Sequence, residues 1–285
     1  MRNIIIFAAK LIYESNMFSK EMYIARRAEL KKLVKDGIIL LFGNNESPVN
    51  SPANGYSPFR QDSSFLYYFG QQRDGLVGVI DVNDNKEILI GNDIDIEDIV
   101  WFGSVDAVSD LAAQVGVSNS APMSELKTIC DKAKASNRKI HFLPPYRSDI
   151  KIQIFDLLGI HPNKQKEGAS LELINAVVKM RSVKTAEEIE ELERAAVIGY
   201  KMHTTAMRIT KPGLTEKYVA GQVEGMANSY GSMVSFPIIF SQHGEIMHGN
   251  PSMAELKDGR LVLCDCGGET MIPRANIEPA LGPPT

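Results

Sequence analysis

Asp265 follows the apolar run Leu261-Val262-Leu263-Cys264. An apolar run ending in a carboxylate is the pattern of a strand that delivers an acidic side chain to a loop edge. There it can cap a turn, pair with a cation or ligate a metal ion. Cys264 and Cys266 flank it. Side chains alternate along a strand, so Asp265 is expected on one face and both thiols on the other. That alternation speaks against a Cys-x-Cys zinc site shared with Asp265, which would also need further ligands. Upstream, His243 and His248 flank Gly244-Glu245-Ile246-Met247 in a segment rich in Gly, Pro and Asn. Five residues apart, they would face opposite sides of a strand and would not share one ion. Each is either a hydrogen-bonded structural residue or a neutral donor that polarises a substrate carbonyl.

The elements that must hold these residues are legible around them. Thr185 followed by Glu188 predicts a capping box. It opens a long helix with Ile189, Leu192, Ala196, Gly199, Met202, Ala206 and Ile209 at helical spacing. Glutamates crowd its first turns and Arg208 and Lys211 lie near its end, which suits the helix dipole. Pro212-Gly213 stops it. Thr215 caps a second helix running to about Ser229, with Leu214 and Val219 as a hydrophobic staple. Strands are predicted over residues 234–241, 245–249 and 260–266. Earlier, residues 20–34 read as an amphipathic helix with Ile24, Leu30 and Leu33 on its apolar face. Residues 38–42 read as a buried strand, and 76–82 and 87–90 as a hairpin around Asn83-Asp84-Asn85. Residues 124–135 read as a helix and 139–143 as a strand closed by Pro144-Pro145. The pattern predicts an α/β (mixed α+β) fold. Residues 163–169 are a candidate linker. Residues 271–285 carry four prolines and no period, and are expected to be a tail without a fold of its own. No internal repeat is visible.

Composition narrows the classes. The 285 residues are 44% hydrophobic and 23% charged, with 31 basic and 35 acidic side chains. The net charge of −4 offers no electrostatic case for nucleic acid. No apolar run approaches the ~20 residues of a membrane helix. Three cysteines do not make a disulfide framework, so a reducing, cytoplasmic compartment is expected. Residues 1–10 faintly resemble a signal peptide, but Lys10 interrupts the apolar part, and Glu14 and Asn16 occupy the cleavage region. An upstream extension is the expectation, with Met17 as an alternative start.

Several runs occur in a specific order: Met180-Arg181-Ser182-Val183-Lys184, Lys211-Pro212-Gly213-Leu214-Thr215-Glu216, Ile246-Met247-His248-Gly249-Asn250-Pro251, and Gly259 to Gly267. This ordered set resembles the opening of the pita-bread metallopeptidase domain of the Xaa-Pro aminopeptidase (aminopeptidase P) and prolidase family. Phe59 to Gly70 resembles a run of that family's creatinase-like N-terminal domain. The resemblance covers about Met17 to Thr270. It implies a creatinase-like N-terminal domain over residues 17–165, followed by an incomplete pita-bread domain over 170–270 and the tail 271–285.

The resemblance also implies chemistry. Family members use two divalent ions, commonly manganese, held by two aspartates, a histidine and two glutamates. Asp265 occupies the place of the first aspartate. His248, seventeen residues earlier, occupies the place of a substrate-binding histidine. The second aspartate belongs at position 276, where this chain has Asn276. The remaining ligands belong to the domain's second half, so the chain is expected to be C-terminally truncated and inactive alone. The implied reaction is hydrolysis of the bond between an N-terminal residue and a following proline, on a peptide substrate. Prolidase-type dipeptide cleavage, creatinase-type amidinohydrolysis (which Asp265 weighs against) and a non-catalytic association module are the alternatives. A homodimer is allowed, with no nucleic acid or membrane partner. Isolated residues 215–285 are expected to be marginal or aggregation-prone.

Overall fold

In the computed structural model, residues 18–50, 59–95, 100, 103 and 105–270 are described. Met17, the tail 271–285 and Asn276 lie outside them. The chain divides into two compact units, residues 1–184 and 185–285.

The first unit is built on a mixed sheet with strand order β4-β3-β2-β1-β5. Its strands are β1 (Ile38–Phe42), β2 (Val77–Asp81), β3 (Lys86–Ile90), β4 (Asn119–Ala121) and β5 (Ile140–Phe142). β1 and β2, and β2 and β3, pair antiparallel, whereas β5 joins β1 and β4 joins β3 in parallel. The predicted hairpin is present, and Asn85 turns it with φ of 49°. β1 is apolar throughout because it is covered on both faces. Ile39 and Leu41 enter a core with α1 (Lys20–Leu33), α2 (Ser63–Phe69), α3 (Val108–Gln114) and α7 (Leu171–Ser182). Ile38 and Leu40 enter the opposite core with α4 (Ser124–Ala135) and α5 (Ser148–Leu158). Gly78 in β2 lets α2 approach, since a Cβ there would lie 2.1 Å from the Phe69 ring.

Helix α1 turns Leu30 and Leu33 into the core as expected, but not Ile24. Ile24 is 42% exposed, while Tyr23, Arg26, Arg27 and Leu30 are buried. The buried Arg27 guanidinium shares this inward face. It donates to Glu87 Oε2 (2.6 Å) and to the carbonyls of Tyr68 (2.8 Å) and Val115 (2.7 Å). A buried cation needs such partners. The polar segment 163–169 is also ordered into the unit. A 3-10 turn (Pro162–Lys164) leads into α6 (Gln165–Gly168). Buried Gln165 donates to the carbonyls of Lys151 and Ile160, both at 2.8 Å. α7 then places Leu173, Ala176 and Val177 in the first unit's core, and the division between units falls after Lys184.

The second unit opens with α8 (Ala186–Ile209), whose capping box forms as predicted: Glu188 N donates to Thr185 Oγ1, and Thr185 N donates to Glu188 Oε2. Folding Glu188 back over the helix start buries it and leaves its neighbour Ile189 47% exposed. The inward stripe is therefore Glu188, Glu191, Ala195, Ile198, Gly199, Met202 and Ala206, and Ala196 faces out. α9 (Glu216–Ser229) is capped by Thr215 and packs Val219, Ala220, Val223 and Ala227 into the same core. Two short antiparallel pairs complete the unit: β6 (Met233–Val234) with β9 (Gly268–Glu269), and β7 (Ile239–Ser241) with β8 (Leu263–Asp265). The expected strand 234–241 is split near Pro237, which lacks a backbone donor. The expected strand 245–249 is a turn, with Ile246 N donating to His243 O at 2.9 Å. Its glycines, Asn250 and Pro251 favour turn over ladder.

Candidate metal and substrate site

β8 is a three-residue strand held against β7 with Ile239 opposite Asp265, Phe240 opposite Cys264 and Ser241 opposite Leu263. Phe240 is buried in the core of the unit and anchors the pair. Asp265, at the strand's end, is exposed. Alternation holds across the strand: Cys264 and Cys266 turn to the other side, with their sulfurs 4.0 Å apart.

His243 and His248 both lie in the exposed turn after β7 rather than on a strand. His243 Nδ1 pairs with Glu245 Oε1 at 3.0 Å. The turn is closed at its base by a residue that the sequence did not single out for this purpose. Glu216, at the first position of α9, is 1% exposed. Its Oε1 accepts from Gln242 N (2.8 Å) and Ser241 Oγ (3.1 Å), and its Oε2 accepts from Ser252 N (3.0 Å) and Ser252 Oγ (2.7 Å). Burial by itself would raise the carboxyl pKa, but the hydrogen bonds from Ser252, Gln242 and Ser241 outweigh it and hold the group below its ordinary value. Gln242 reinforces the base, donating to Glu255 O (2.8 Å) and accepting from Lys257 N (3.2 Å).

On the far side of β8, His203 of α8 meets the two thiols. Cys266 Sγ lies 3.8 Å from His203 Nδ1 and 3.7 Å from Nε2. Cys264 is held below the ordinary thiol range by the hydrogen bond from Cys266 and then by His203, against its own burial. Cys266 is pushed up by that hydrogen bond and by burial. No spacing rule connects residue 203 with residues 264 and 266, so only the packing of α8 against the β8–β9 segment reveals this group.

Among the described residues, two sets of three side chains are close enough to share an ion: His203 with Cys264 and Cys266, and Asp36 with His141 and Glu172. Neither contains Asp265 or His248. In the second set both imidazole nitrogens are already engaged, Nδ1 with Ser170 Oγ (2.7 Å) and Nε2 with Asp36 O (3.0 Å). For a pair of hard cations, the described residues offer one carboxylate at the expected place, Asp265. One ligand does not hold two ions.

Comparison with known proteins places both units. Residues 23–141 match the model of the aminopeptidase P N-terminal domain, and residues 190–271 match that of metallopeptidase family M24. The Xaa-Pro aminopeptidase of Escherichia coli is 26% identical over 266 residues, covering 90% of this chain and 60% of that protein. A rat Xaa-Pro dipeptidase is 24% identical over 232 residues, covering 74% of this chain and 44% of that protein. A solved structure of E. coli aminopeptidase P superposes with a TM-score of 0.72 at 25% identity, covering 88% of this chain and 59% of that one. The chain thus spans about three fifths or less of the length of these relatives. M24 proteins are metallopeptidases, so divalent metal ions belong to the family's chemistry. With an aminopeptidase P-type domain followed by the opening of a pita-bread domain, the chain belongs to the Xaa-Pro aminopeptidase/prolidase family of metallopeptidases.

Proposed function

We propose that the protein is a manganese-dependent aminopeptidase that hydrolyses the bond between an N-terminal residue and a following proline. The observation that carries this reading is the exposed carboxylate of Asp265 at the end of β8, inside the region that matches the metallopeptidase model. In this reading Asp265 is the first aspartate of the metal site, and divalent ions supply the Lewis acid and the activated water when bound. His248 offers its imidazole to the substrate carbonyl from a solvent-facing turn whose base Glu216 fixes. The resemblance of the run Phe59 to Gly70 supports the aminopeptidase over the dipeptidase. The expected domains 17–165 and 170–270 are kept in this reading with their boundary moved to Lys184, where the compact units divide. Its compartment is the cytoplasm, consistent with three free cysteines and with no described helix long and apolar enough to cross a membrane. A homodimer is part of the same reading, and a monomeric mass by light scattering would remove it.

Asp265 is the one described residue at a family ligand position, so manganese binding by this chain is expected to depend on it. Calorimetric titration with manganese, beside an assay on Xaa-Pro-Xaa peptides and Xaa-Pro dipeptides, tests each part. Manganese binding that disappears in Asp265→Asn supports the ligand assignment. Equal binding by the variant removes it. Turnover of dipeptides but not of longer peptides would favour the dipeptidase reading.

A further inference from the structure

We propose that His203, Cys264 and Cys266 form a zinc site on the face of β8 opposite Asp265, with three protein ligands and a fourth position for water. It is independent of the metal chemistry proposed for Asp265 and would exist whether or not the protein is a peptidase.

The case begins with distances. Sulfur ligands sit ~2.3 Å and nitrogen ligands ~2.0–2.1 Å from zinc in a tetrahedral shell. Two such sulfurs therefore stand roughly 3.8 Å apart, and sulfur and nitrogen roughly 3.6 Å apart. The Cys264 and Cys266 sulfurs are 4.0 Å apart, and the Cys266 sulfur is 3.7 Å from His203 Nε2. For these two pairs a contraction of a few tenths of an ångström reaches the tetrahedral spacing, and a turn of the imidazole brings its nitrogen toward Cys264. All three donor atoms lie within 4.8 Å of one another.

The surroundings support the same assignment. Cys266 is 2% exposed, while Cys264 and His203 are half-buried, so the site has a rigid floor and an open side. Both thiols are free. Gly268 permits the close approach of this strand region to α8, since a Cβ there would lie 2.5 Å from Ile198 Cγ2. The donors come from two elements, so an ion would tie the long helix to the strand that ends in Asp265. Two thiolates and an imidazole select zinc rather than manganese, which prefers oxygen. Binding would release the thiol protons to solvent and leave the imidazole neutral.

The test uses the full 285-residue chain, stripped of metal and kept reduced. Zinc is titrated against a chromophoric chelator, and cobalt is titrated in parallel as a spectroscopic probe. One zinc per chain is expected, together with a thiolate-to-cobalt charge-transfer band and a rise in thermal midpoint on adding zinc. Cys264→Ser and His203→Gln should each weaken zinc binding by more than about tenfold and remove that rise. Both positions are half-buried, and matching circular dichroism of the metal-free proteins verifies that the variants fold. Asp265→Asn should retain the charge-transfer band, and excess manganese should not displace zinc. No zinc bound, cobalt bound without the thiolate band, or wild-type zinc affinity in both variants would overturn the proposal.

Discussion

Ser252 donates two hydrogen bonds to Glu216, one from its hydroxyl at 2.7 Å and one from its amide at 3.0 Å. The other carboxylate oxygen takes Gln242 N and Ser241 Oγ. A single buried side chain at the start of α9 therefore joins the two ends of the turn that carries His243 and His248. A loop closed in this way presents its residues from a fixed base, although its tip is exposed.

Replacing Glu216 by Ala should leave Ser241, Gln242 and Ser252 without their acceptor. The expected loss is about 2–4 kcal/mol in the second unit, in the range for breaking hydrogen bonds to a buried charge. Urea unfolding followed by circular dichroism measures it. Proteolysis between residues 243 and 251 should accelerate in the same variant, whereas unchanged cleavage would show that the turn is held by other contacts.

The same carboxylate gives a pH dependence. Its folded-state pKa lies below the ordinary value of 4.5. Its contribution to stability is therefore complete above that value and is lost as pH falls through the depressed folded-state pKa. Thermal melts of wild type and Glu216→Gln should converge as the pH is lowered through this window. Curves that stay parallel would assign the acid sensitivity elsewhere.

Arg27→Leu should destabilise the first unit by about 3–5 kcal/mol, since it strips the partners of the Tyr68 and Val115 carbonyls and leaves Glu87 with Lys31. Arg27→Lys should recover only part of this, because an ammonium cannot reproduce the forked contacts. Equilibrium denaturation of the two variants provides the comparison.

Thr185→Ala removes one half of the capping box that opens α8 and should cost about 1 kcal/mol. A change well below that, in the same denaturation measurement, would mean that packing alone sets the helix start.

A fragment beginning at residue 215 lacks α8, which supplies Ile198, Met202 and Ala206 to the core shared with α9 and β7. It should be protease-sensitive and associate in solution, while the intact chain protects α9. Resistance of the fragment equal to that of the whole chain would show that α9 and the strands suffice.

The elements were largely legible because their signals are local. The Thr185–Glu188 capping box, the Thr215 cap, the Asn83–Asn85 turn and the unbroken apolar run of β1 each lie within a few residues of what they specify. Where the sequence misled, a distant partner decided. Arg27, a charge on α1, is buried through its pairing with Glu87, sixty positions away. Gln165 ordered a segment whose polarity suggested a linker. The turn at 245–249 carries apolar residues but gains no ladder partner.

For the site, the sequence by itself determined that Asp265 ends an apolar strand with its flanking thiols on the other face, because alternation is a property of the strand alone. It also determined, through the order of its motifs, the family. The tertiary structure decided that one buried glutamate closes the His248 turn, and that α8 brings His203 to within 3.7 Å of Cys266. Contacts between residues 26 to 63 positions apart arise from the packing of α8 and α9 against short strands, and no local pattern encodes that packing.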